Sequence, residues 1–296
     1  MTDLINATVT IDSGQVLGLV GSQSALAASV SSILFDIAVL LLVLLGPFVV
    51  FALIIHWLER RIQTSLAERF GWKSVLWTGW LGTPIHELSH AFMCKVFRHD
   101  IVDIALFEPD RESGRLGYVR HTWKVGNWFE EVGNVFIGIA PLIGGSISLA
   151  SLLWLFFPDA AKMALEIGRT SEADAVGQTL AIVQSIFGNI LNLRNFGSIR
   201  FWAFIYLVLC VSSHMAPSRS DYQGVGRGIL LLMVPLLVIA AVTSLLVSDI
   251  PAFSRSIAEL FSPLFAVLLL AIALCSLATI IVNIGVRFFA KRYNVR

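Results

Sequence analysis

The sequence predicts an all-α polytopic membrane protein, with about six transmembrane helices and a small membrane-associated β-hairpin after the second span. Three observations carry that prediction. The 296-residue chain is 56% hydrophobic and only 14% charged, with mean hydropathy +0.80, whereas a soluble domain carries about 25% charged residues. Its apolar residues fall into runs near the ~20 residues that a crossing helix needs, at about 31–57, 73–97, 132–157, 201–216, 228–247 and 261–286. One stretch, about 101–123, departs from this pattern and reads as a hairpin. Residues 1–296 form a single integral-membrane domain, with no internal repeat and no room for a second soluble domain.

The first thirty residues contain no Lys or Arg. They lack the basic start of a signal peptide and read as a polar tail. In the first span Gly46-Pro47 predicts a kink, and Asp36 and His56 lie near its ends as interfacial residues. Glu59-Arg60-Arg61 closes the span, and 61–72 reads as an amphipathic connector on the membrane surface. In the second span Thr83 suits an N-cap and Pro84 a first helical turn, so a helix break is expected there.

The hairpin reading rests on partial alternation in Ile101 to Phe107, a turn-rich stretch from Glu108 to Gly114, and a second run from Leu116 to Trp123. Its free edge offers a place to add an extended peptide as a strand. Ile101, Ile104 and Leu106 are the candidate substrate-strand residues. A plain extramembrane hairpin is the alternative. The third span carries Asn134, Pro141 and Gly144-Gly145, and its small residues permit close helix approach. Residues 158–200 read as a polar-to-mixed loop, with an interfacial or re-entrant helix over 176–193. The last spans precede a basic tail of Arg287, Lys291, Arg292 and Arg296. The positive-inside rule then asks for an odd number of crossings, which six spans do not give.

The chemistry concentrates in His86-Glu87-Leu88-Ser89-His90, an H-E-x-x-H pentad inside the second apolar run. At i and i+4 the two imidazoles share a helix face and can bind one metal ion. Glu87 is close enough to handle the proton of a metal-activated water. Three ionisable groups within a span are expensive unless paired or bound. Catalytic zinc takes three protein ligands and leaves a position for water. The third ligand is Asp221 or His214, both near the end of the fourth span. Pro217 keeps them off a common helical face. Asp221 has a competing reading, as the first-turn acid of a capping box whose N-cap is Ser218.

Gly82 to Ala91 resembles the active-site helix of site-2 proteases, the intramembrane zinc metalloproteases. The resemblance covers roughly the second to fourth spans. It implies one Zn2+ per chain, His86 and His90 as ligands, Glu87 as the catalytic glutamate, and a membrane-protein or membrane-bound peptide as substrate. The family's third ligand is an aspartate, usually within Leu-Asp-Gly after Asn and Pro. Here 214–224 contains Pro217 and Asp221 but no Leu-Asp-Gly. The family's membrane-associated strands hold an extended substrate, which matches the hairpin reading. Neither a PDZ nor a CBS domain has room.

Other classes fit less well. A net charge of +1 with no Lys/Arg block argues against nucleic-acid binding. Six scattered histidines with one tight pair argue against a di-iron oxygenase. Cys94, Cys210 and Cys275 show no C-x-x-C spacing, which argues against a disulfide framework or a zinc knuckle. A CAAX-type membrane protease and a catalytically silent, partner-binding relative remain as alternatives.

Overall fold

The computed structural model describes residues 49–68, 70–170, 175–218 and 220–246, with scattered positions before 49 and from 256 to 280. Asp36, Pro47 and the basic tail lie outside the described residues. Among the described residues the chain is mostly helical, with one two-stranded antiparallel sheet. Helix α1 covers 49–68 without interruption. The surface connector expected over 61–72 is therefore corrected: Leu58, Ile62 and Leu66 repeat at i, i+4, i+8 and are all buried, so one apolar stripe carries the helix past Arg60-Arg61.

Helix α2, Trp72–Val96, carries the pentad. Pro84 lies inside it, so the expected break is also corrected. Thr83 Oγ1 makes no hydrogen bond and caps nothing. Proline removes one helical hydrogen bond, but neighbours on both sides hold α2 in place. A Cβ on Gly82 would collide with the Cys210 carbonyl oxygen, and one on Gly144 with Ser89. Backbones approach this closely only because those positions lack side chains.

Strands β1, Asp100–Ala105, and β2, Tyr118–Thr122, form the hairpin, with a bulge between Ile101 and Asp103. Helix α3, Trp128–Phe156, starts on the Asn127 side chain, which accepts from Phe129 N. Within residues 158–200 the helix expected over 176–193 is present as α5 (Ala175–Ile190), and the remainder, read as a loop, folds instead into α4 (Pro158–Thr170) and α6 (Leu193–Phe196). On α5 the buried stripe Ile182, Ile186, Ile190 drives helix formation. Its polar residues are satisfied locally: Gln178 Nε2 donates to the Gly168 carbonyl and Asn189 Nδ2 to the Ser185 carbonyl. Helix α7, Ile199–Ser212, ends where the chain turns through Pro217 to a 3-10 turn at Ser220–Tyr222, and α8 follows at Val225–Leu246. Leu142, Leu149, Ile186, Phe204, Val208 and Met215 fill the main core. Among the described residues α3 alone is long and apolar enough to cross a membrane, by length and composition; α7 and 225–239 are apolar but shorter.

Asp103 ties the two strands together. It accepts from Arg120 and from the Tyr118 hydroxyl (2.9 Å), and these two bonds hold its carboxyl below the usual carboxylate range. A folded value below the unfolded one gives stability that is present above about pH 4 and lost as pH falls through the folded value. Amide-exchange protection of 118–122 is therefore expected to decline on acidification below about pH 4. In Asp103→Asn, protection should be lower throughout and show no such step.

Candidate metal centre

The pentad's two imidazoles meet with their Nε2 atoms 3.1 Å apart. Each is aimed from behind by a carbonyl. His86 Nδ1 lies 2.7 Å from the His214 carbonyl oxygen, and His90 Nδ1 lies 2.8 Å from that of Ile137. A carbonyl only accepts, so both Nδ1 atoms carry protons, and in the neutral form of each ring Nε2 is the lone pair. This backing of a histidine by a carbonyl is the usual outer support of a metal ligand.

The Ile137 carbonyl is available for a reason written in the sequence. Its helical donor would be the N–H of residue 141, four positions on, and residue 141 is proline. Pro141 thus frees the acceptor that His90 uses. The His214 carbonyl is free because α7 has ended and the chain is turning toward Pro217.

Asp221 completes the set. Its Oδ2 lies 3.4 Å from His86 Nε2 and its Oδ1 3.3 Å from His90 Nε2. Half of the capping box is present at the same time: the Ser218 hydroxyl pairs with that of Ser220, while the Ser218 N–H donates to Asp221 Oδ2 at 2.5 Å. That bond fixes the carboxylate toward the histidines. Gly138 on α3 permits the approach: a Cβ there would lie 2.8 Å from the Asp221 carbonyl oxygen. With both Nδ1 atoms turned to carbonyls, the two Nε2 atoms and the Asp221 carboxylate converge as three ligand atoms of the kind that one cation can share. Zinc bonds of about 2.0–2.2 Å in tetrahedral geometry place ligand atoms roughly 3.3–3.5 Å apart. The two histidine–aspartate spacings fall in that range, and the 3.1 Å between the imidazoles is slightly shorter.

His214 does not join the ligand atoms. Its Nδ1 lies 3.1 Å from the Cys210 carbonyl oxygen and 3.0 Å from Ser213 Oγ. Its contribution to His86 is its backbone carbonyl. His56 lies apart on α1, and His99 and His121 pair with each other.

A cleft of about 920 Å³ opens over the site, with Glu87 in its wall. The hairpin borders it, but through the 113–117 turn and β2. From β1 only Val102 takes part, and Ile101, Ile104 and Leu106 do not. Sequence reasoning also missed Glu59, read as the end of a span. Its Oε2 accepts from Ala216 N at 3.1 Å and its Oε1 from Gln63, so it holds the segment that leads to Asp221. No local signal marks it, because Arg60-Arg61 make it look like an ordinary interfacial charge. The free Ile137 carbonyl was legible in the Ile137-to-Pro141 spacing.

Comparison with known proteins gave no match to a family model, to a curated protein or to a solved structure.

Pro141→Ala should restore a helical donor to the Ile137 carbonyl. Helix stability should rise, while zinc affinity falls by the ~10–100-fold typical of losing an outer partner. Asp221→Asn should lower affinity further than that. Competition of the purified protein against a zinc indicator measures both.

Proposed function

We propose that the chain is a multi-pass intramembrane zinc metalloprotease that hydrolyses peptide bonds of membrane-protein substrates. The observation that carries this reading is the convergence of His86, His90 and Asp221 at 3.1–3.4 Å, with Glu87 beside them in a strand-bordered cleft. The resemblance of Gly82 to Ala91 to the site-2 protease helix points the same way.

Apolar side chains stand exposed along helix faces, at i, i+4 spacing for Leu88 and Phe92 on α2 and for Leu230, Val234 and Val238 on α8, and at i, i+8 for Ile147 and Leu155 on α3. Water would oppose such continuous stripes, whereas lipid matches them. This favours a bilayer around several helices, α3 among them.

His86, His90 and Asp221 would hold the zinc, which supplies Lewis acidity toward water and the scissile carbonyl. Glu87, one residue from a ligand, takes the proton from the attacking water and returns it to the leaving amine. The edge of β2 offers backbone groups to a substrate segment in extended form. Extension matters, because a helical substrate shields its carbonyls in its own hydrogen bonds. Thr83 Oγ1, Asn134 Oδ1 and His214 Nε2 are buried without hydrogen-bond partners, and all three residues line the cleft. Each stands to gain on meeting a polar group. The placement of the cleft moves the proposed substrate edge from Ile101–Phe107 to β2.

Glu87→Gln tests the reading. Zinc at His86 and His90 should stay bound, while turnover falls by about 10²–10⁴-fold, the typical share of general acid–base catalysis. Quantitative membrane proteomics of cells carrying wild type or Glu87→Gln should reveal a membrane protein that accumulates uncut in the variant. Equal processing in both would remove Glu87 from the chemistry.

A further inference from the structure

A second convergence of ligand atoms lies where α2 ends. Cys94 is in the last turn of α2, His99 follows the turn after it, and His121 comes from β2. One ligand atom from each lies within 4.8 Å of the others. Cys94 and His99 are buried.

The His99 ring is aimed as a metal ligand is aimed. Its Nε2 lies 2.7 Å from the Glu130 carbonyl oxygen, so the ring proton is there and Nδ1 is left as a lone pair. His121 Nδ1 faces that lone pair at 2.9 Å. Trp123 stacks on both rings, with centroids 5.8 Å away in each case. The helix cap brings them together: Arg98 sits at φ 60, its N–H donates to the Lys95 carbonyl at 3.3 Å and the His99 N–H to the Cys94 carbonyl at 2.8 Å. This is the left-handed cap that ends many helices, and here it carries His99 back over Cys94.

We propose that Cys94 Sγ, His99 Nδ1 and His121 Nδ1 bind a second zinc-class cation, which clamps β2 to the end of the pentad helix. A thiolate with two imidazoles is a borderline-soft set, suited to zinc and poorly suited to magnesium or calcium. On binding, Cys94 releases its proton to solvent and His121 keeps its remaining ring proton on Nε2. His121 borders the cleft, so water completes the coordination from that side. The site is independent of the protease reading, since it uses none of the pentad's ligands.

Full-length protein in detergent, stripped and reloaded with Co2+, tests this. Wild type should bind two ions per chain and show a thiolate-to-cobalt charge-transfer band in the near ultraviolet. Cys94→Ser should lose that band and one ion. His86→Ala with His90→Ala should lose the other ion and keep the band. Absence of the band in wild type, or its survival in Cys94→Ser, overturns the proposal; the wild-type measurement decides even where a variant fails to fold. Failure of the protease reading is separate, and would appear as a band with no ion at His86 and His90.

Discussion

The arrangement turns on two backbone carbonyls. His86 and His90 are useful together only if both present unprotonated Nε2 atoms to one point, and an imidazole's tautomer is set by what its other nitrogen touches. The His214 and Ile137 carbonyls do the setting. Regular helices have no such carbonyls to spare, because each is taken by the N–H four residues on. The chain provides one by ending α7 and the other by placing Pro141 inside α3. A proline that reads as a helix defect is, at this position, the source of an acceptor.

That requirement fixes how closely three helices must pack. The carbonyls have to come within hydrogen-bond reach of α2, which leaves no space for side chains between the backbones. Gly82 meets the Cys210 carbonyl, Gly138 meets Asp221, and Gly144 meets Ser89. Glu59 adds a tether from α1 by accepting the Ala216 N–H. Asp221 is then held twice, by its bond from Ser218 and by the short turn that carries it. Its capping and facing roles, alternatives on paper, are one geometry in space. The same carboxylate oxygen accepts the Ser218 N–H and lies 3.4 Å from His86.

What the sequence disclosed follows the range of the interactions involved. The pentad was legible because i, i+4 spacing is local. The hairpin was legible because alternation and turn residues are local, but which of its edges borders the cleft was not, since that depends on α2 and α3. That the Asp221 side chain faces the pentad, and that of His214 does not, turns on the Ser218 bond and on Gly138, one local and one distant. The helix over 176–193 was legible from its apolar pattern, and Gln178 and Asn189 interrupt it without breaking it because their side chains bond within the helical layer; α4 was not, because 158–170 is too polar to show an apolar run. The Cys94, His99 and His121 group escaped a search for C-x-x-C because it mixes residue types and draws on a helix end, a turn and a strand.

The hairpin is held at both ends. At one end Asp103 gathers Arg120 and Tyr118. At the other, His121 meets His99, with Trp123 stacked over both rings. Trp123 also reaches toward Gly224, beyond Asp221, where a Cβ would lie 3.1 Å from its ring and 2.9 Å from Asn134. The residue that follows the cleft-bordering strand thereby packs close to the segment that carries Asp221. Adding a strand to a loose edge would require ordering both partners, at roughly 1–2 kcal/mol of backbone entropy per residue. An edge already fixed at two points leaves only the incoming segment to be ordered, which is the advantage of preorganisation. Under the proposed function, where a substrate gives up its own helical hydrogen bonds, that saving falls on the step where it is most needed.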